Sequence, residues 1–149
     1  MVKSHAANHT PPDNTCVSTL ILLIRIVYNE RMKISVKRVY DPVDNTDGLR
    51  ILADRLWPRG VQKDEACIDL WLKELAPSTE LRTWYHENKE TRYRQFVRKF
   101  KKELLEKEVP EHVQNQKNVT LLTSVKEIER SHIPVIVNFL KDMSSGLRT

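Results

Sequence analysis

Seven consecutive residues, Asp54-Arg55-Leu56-Trp57-Pro58-Arg59-Gly60, bring two guanidinium groups, a carboxylate and an indole to one Pro/Gly-punctuated turn. A guanidinium is a planar fork of donors that matches a carboxylate or a phosphate. Arg55 and Arg59 are therefore candidate clamps for an anion, and Trp57 would wall the pocket. The run follows an apolar stretch, residues 49–53, that reads as a buried strand. Charge at the end of a buried strand is where α/β proteins build ligand sites. The same residues admit a structural reading, in which Arg55 or Arg59 pairs internally with Asp54 or Asp41 and pins the loop.

Two further groups could move protons. Asp54 would orient an arginine or act as an acid/base, and His132 would be a second proton-transfer group. His132 opens a helix region, where the macrodipole favours the neutral imidazole; a capping role is the alternative. If the first two strands pair, Asp41 and Asp54 would converge as acid and base or hold a magnesium ion. Asp41, Asp44 and Asp47 are equally residues that build turns. Thr123 and Ser124 follow a later strand and would face the same crevice in a parallel sheet. Ser78 would cap a helix whose backbone N–H groups face an anion.

Other chemistries find little footing. The chain has 149 residues and three glycines, Gly48, Gly60 and Gly146, too few and too scattered for a Gly-rich phosphate loop. Cys16 and Cys67 form neither a metal spacing nor a disulfide framework, and no Gly-x-Ser-x-Gly elbow exists. His5 and His9 are the one His-x-x-x-His pair, in a polar Pro-containing head where two solvated side chains compete with a zinc site. Hydrophobic content of 40% and charged content of 30% are those of a globular protein, expected in the cytoplasm with no membrane partner. A net charge of +5 suits anionic ligands without the clustering of a dedicated nucleic-acid binder.

The elements that must position these groups follow from periodicity. Residues 34–40 alternate as a first strand, and residues 49–56 form the second. Residues 64–75 fit a short strand or an irregular segment. A helix is expected from Thr79 to about His86 behind the Ser78 cap. The clearest helix spans residues 89–107, with Tyr93, Phe96, Val97, Phe100 and Leu104 on one face. Its charges, among them Arg98, Lys99 and Lys102, are interrupted by Glu90, Glu103 and Glu106 and spread around the polar side. A short helical turn over residues 111–116, a third strand over 119–123 and a last helix over 131–143 complete the pattern. Strands alternating with helices predict one α/β domain, three-layer-like, with a small, mainly parallel sheet flanked by helices.

The words Arg38-Val39-Tyr40-Asp41-Pro42, the Asp54 to Gly60 run, Trp71-Leu72-Lys73-Glu74-Leu75-Ala76-Pro77-Ser78 and Val119-Thr120-Leu121-Leu122 occur in one order. That series resembles the YeaO-like branch of the bacterial domain-of-unknown-function family 488, from about Lys33 to Met143. The resemblance implies a small cytoplasmic α/β protein and no established activity. Larger relatives resemble it in an arginine-containing loop after an early strand and a Cys-His-Arg motif near the C-terminal strand. Here no Cys stands near His132, so cysteine chemistry of that kind has no bearer.

The likeness stops at Met32, a natural start residue directly ahead of a strand. Residues 1–31 read as an over-long start or a private extension, and residues 32–149 as the domain. Protein made from its native locus is expected to have the intact mass of a chain starting at Met32; a mass for initiation at Met1 would refute this. The function expected is binding of a small anionic ligand, phosphate- or nucleotide-bearing, through the arginine loop. The alternative is a nucleic-acid or protein interaction module using the basic helix. No cofactor, metal or oligomeric state follows from the residues.

Overall fold

A computed structural model describes Leu20 and residues 31–146. The chain divides into two units between Glu30 and Arg31, and the numbered strands and helices belong to the second. The extension expected over residues 1–31 lies, apart from Leu20 and Arg31, outside the described residues.

Four strands form one sheet: β1 (Lys33–Arg38), β2 (Leu49–Leu52), β3 (Leu70–Trp71) and β4 (Asn118–Thr123). Their order is β1-β4-β2-β3 and every pairing is parallel. The helices are α1 (Thr79–Glu87), α2 (Lys89–Leu105), α3 (Glu111–Gln114) and α4 (Ile133–Ser144). This is the expected α/β class. β4 is central and buried from Val119 to Thr123, as the near-continuous apolar run of an internal parallel strand requires.

Successive residues of a strand point to opposite faces of the sheet. Ile51, Val119 and Leu121 join Phe96, Phe100, Leu104, Ile136 and Leu140 in the main core, which the helices cover. Leu52 and Leu122 join Val39 in a second, smaller core. That core is closed by Trp57, Val61, Ile68 and Trp71, so the layer on this face is a loop held by aromatic side chains. Trp57 and Trp71 meet edge to face with centroids 5.4 Å apart, a favourable arrangement of ring quadrupoles.

The structure corrects two details. β2 ends at Leu52 and not at Leu56. Its ladder continues for one more bond, Ala53 N–H to the Leu122 carbonyl at 3.0 Å, and then the Asp54 side chain takes over the contact with β4. β1 and β2 are also not neighbours, because β4 lies between them. The ambiguous residues 64–75 hold only the two-residue β3, since Cys67 takes a left-handed φ of 47° and the Asp69 carboxylate accepts the Arg50 N–H at 2.8 Å.

The loop ahead of β2 is held by charge. Asp47 is buried between Lys37 (2.5 Å) and Arg50, and the Thr120 hydroxyl donates to its carbonyl at 2.7 Å. The Lys37 contact leads in lowering the Asp47 carboxyl from 3.8 to about 2, against the opposing effect of burial. No helix among the described residues is long and apolar enough to cross a membrane.

Candidate functional site

The carboxyl ends of β1, β2 and β4 open into a cavity of about 770 Å³. In open α/β sheets this end is where loops and helix starts leave room for a ligand. Here the space is bounded by the turn after β2, the segment leading into α1 and the later part of α1, the first half of α2, and the β4–α4 connection.

Asp54 sits at its base, 6% exposed. Its Oδ1 accepts from the Thr123 hydroxyl at 2.7 Å and lies 3.1 Å from His132 Nε2. Its Oδ2 accepts from the Ser124 N–H at 2.7 Å and from the Ser124 hydroxyl at 2.8 Å. Burial alone would raise this carboxyl, but the bonds from His132, Ser124 and Thr123 outweigh it and hold the carboxyl below the ordinary 3.8. Asp54 is therefore an anion at neutral pH with its oxygens already engaged, which suits an anchor and not a general acid.

His132 follows from that anchor. Its Nε2 also lies 3.1 Å from the Ala53 carbonyl. Two acceptors at one ring nitrogen require a proton there, so Nε2–H points at Asp54 and Ala53. Nδ1 is the ring nitrogen left for a ligand. Ser124 spends its hydroxyl proton on Asp54, which removes the simplest way of activating it as a nucleophile.

Around this base the lining is cationic. Arg55, Arg59, Arg82, Lys89, Lys126 and Arg130 face two carboxylates, Asp54 and Glu127. Arg55 reaches the Pro77 carbonyl at 3.4 Å, and Arg130 donates to the carbonyls of Lys89 (3.2 Å) and Glu90 (3.0 Å). Among the described residues, Arg59, Arg82 and Lys126 have no side-chain hydrogen bond or ion pair to a protein group, and Arg55 has no carboxylate partner. The internal ion pairs weighed for Arg55 and Arg59 are thus not formed there. Trp57 lines the cavity with its N–H committed to the Val61 carbonyl at 2.7 Å, and the Tyr40 hydroxyl braces the turn through the Arg59 carbonyl at 3.2 Å.

His86 reports the resulting field. Burial first, then the Lys89 and Arg82 cations, lower its pKa from 6.5, with no carboxylate to offset them.

The other sequence candidates are placed elsewhere. Asp41 is exposed and accepts the Arg38 N–H at 2.8 Å, closing the turn after β1. Asp41 and Asp54 do not converge, because β4 separates their strands. Ser78 accepts from Leu81 N–H at 3.2 Å as the α1 cap, and its hydroxyl donates to Glu103 at 2.5 Å; it does not line the cavity. Thr123 is fully buried beneath it. Among the described residues no group of His, Cys, Asp and Glu is arranged to hold a metal ion. Arg82, His86, Lys89, Lys126 and Arg130 carry no mark in the sequence, since a polar side chain on a helix surface or in a loop gives no signal of which way a crevice opens. On α2, Arg92 and Lys99 both lie over the Trp84 ring, at 4.9 and 4.3 Å, which draws part of the basic surface into the protein's own packing.

Residues 33–146 match domain-of-unknown-function family 488, in the branch described as the inactive DUF488-N3 subclade. The chain belongs to this family. It is 39% identical over 116 residues to the uncharacterized protein YeaO of Escherichia coli strain K12, covering 75% of this chain and 100% of that one. It is 36% identical over 111 residues to an uncharacterized protein of Mycobacterium tuberculosis strain H37Rv, covering 72% of this chain and 93% of that one. No solved structure matches. The Asp54 anchor, the arginine turn and the β4–α4 connection of this DUF488 chain all fall inside the matched span.

Proposed function

We propose that the protein binds a small phosphate-bearing anion in the cavity at the strand carboxyl ends. The observation that carries this reading is the imbalance of the lining. Six basic side chains stand against two carboxylates, and one of those, Asp54, is already engaged by protein donors. Unneutralised cations on the walls of a concave site raise the local concentration of anions. Arg55 and Arg59 clamp the anion, Trp57 walls it, and His132 offers Nδ1 from a ring that Asp54 holds in place. Thr123 and Ser124 act through Asp54. Binding without turnover fits a fully bonded Asp54, a Ser124 proton already spent, and the family's description as an inactive subclade.

The basic α2 surface supports a nucleic-acid partner less well, because Arg92 pairs with Glu87 at 2.7 Å and Lys99 packs on Trp84.

Phosphate titration followed by the His86 imidazole NMR signal tests the proposal. The His86 pKa lies below 6.5 because of burial and two cations, so a bound dianion favours the imidazolium and moves that pKa upward. The Arg55→Ala/Arg59→Ala double variant is expected to bind phosphate about tenfold or more weakly, the scale for losing charge-assisted contacts. An unmoved His86 signal in the wild type, or equal binding by the double variant, rules the reading out.

A further inference from the structure

We infer that the ligand is a nucleoside diphosphate, whose base stacks on Tyr40 and whose ribose hydroxyls donate to Glu127. This rests on the anion-binding reading and narrows it.

Size is the first argument. A cavity of about 770 Å³ far exceeds the needs of a bare phosphate and lies in the range that encloses an organic ligand. The distribution of charge is the second. The basic groups come from separate walls: Arg55 and Arg59 from the turn after β2, Arg82 from α1, Lys89 from α2, Lys126 and Arg130 from the β4–α4 connection. One monophosphate satisfies only a few of these donors, whereas a diphosphate presents more oxygens along a longer path.

Tyr40 supplies the platform. It lines the cavity and is 50% exposed, although large apolar rings are usually covered. The Arg38 guanidinium lies 5.0 Å from its ring centroid. The Tyr40 hydroxyl is tied to the Arg59 carbonyl, so the ring is held beside the arginine turn and does not swing freely. A ring fixed at one edge, with a cation against it and half its surface uncovered, can receive a nucleobase.

Glu127 supplies the polar contact. It is an exposed carboxylate in a cationic lining, and among the described residues its side chain makes no hydrogen bond or ion pair. A carboxylate opposes an all-anionic ligand but accepts from a neutral diol, the way acidic residues recognise ribose hydroxyls beside a phosphate site. Its presence favours a ligand with hydroxyl donors as well as phosphates.

Calorimetric titration of the full chain with pyrophosphate, the four common ribonucleoside diphosphates and their 2′-deoxy forms tests the inference. At least one ribonucleotide is expected to bind about tenfold or more tightly than pyrophosphate, the scale of one base stacked on an aromatic ring. Tyr40→Ala and Tyr40→Phe both lose the hydroxyl brace on the arginine turn, so they should weaken pyrophosphate to the same extent, while Tyr40→Phe should retain the nucleotide's advantage over pyrophosphate and Tyr40→Ala should erase it. Glu127→Gln should reduce the preference for ribo over deoxy forms. Pyrophosphate binding as tight as every nucleotide would overturn the nucleotide assignment and leave the anion reading standing. No binding of any probe overturns both.

Discussion

Asp54→Asn is expected to destabilise the protein by about 3 kcal/mol in urea unfolding, the scale for breaking a buried charged group away from its partners. The amide keeps the shape of the carboxylate but turns one acceptor into a donor. On the Oδ2 side that donor would meet the Ser124 N–H and hydroxyl, and on the Oδ1 side the Thr123 hydroxyl and His132 Nε2. Either orientation leaves buried donors unmatched. The effect also reaches the cavity, because His132 loses one of the two acceptors that fix its ring. The pH dependence carries a sign. The Asp54 carboxyl is held below 3.8 in the folded state, so its contribution is complete above the unfolded value and fades as pH falls through the lower folded value. The variant should therefore lose less stability than the wild type over that acid range. A cost under about 1 kcal/mol would show that Asp54 is not the anchor described.

Gly48→Ala should be comparably damaging, again about 3 kcal/mol, and Gly60→Ala should cost clearly less. Both glycines have positive φ, 64° and 74°, where a side chain is strained by the backbone alone. They differ in surroundings. A Cβ on Gly48 would run into the backbone carbonyl of Asn118, while a Cβ on Gly60 meets nothing within 4 Å. Gly48 directly precedes the Leu49–Val119 register pair, so relief of that collision would push β2 away from β4. Thermal unfolding of the two variants side by side isolates the collision, since the dihedral strain is common to both. Equal losses would mean that the close approach of Gly48 to Asn118 contributes nothing.

These two positions also show how unequally the molecule can be read from its residues. Ser78 was legible as the α1 cap because its partner, the Leu81 N–H, lies three residues away. The α2 stripe was legible because Phe96, Phe100 and Leu104 recur with the helical period and are buried. The sequence pattern extends the second strand to Leu56 while β2 ends at Leu52, because local pattern does not reveal where a neighbouring strand stops offering hydrogen bonds. The pairing of Asp41 with Asp54 depended on β1 lying beside β2, and a strand 69 residues further on, β4, separates them.

The sequence by itself determined the α/β class, the family, and the one turn where charge stands at the end of a buried strand. Each of these depends on residue type and short-range spacing. The tertiary structure alone decided what that turn belongs to. Asp54 finds its partners in Thr123 and Ser124, 69 and 70 residues away. Arg82, Lys89, Lys126 and Arg130 become walls of a single cavity only after α1, α2 and the β4–α4 connection pack around the strand ends. A charge on a helix surface looks the same in the sequence whether it faces bulk water or a crevice. Only the packing of distant elements builds the crevice, and so turns a run of two arginines into part of a cavity lined by six basic residues.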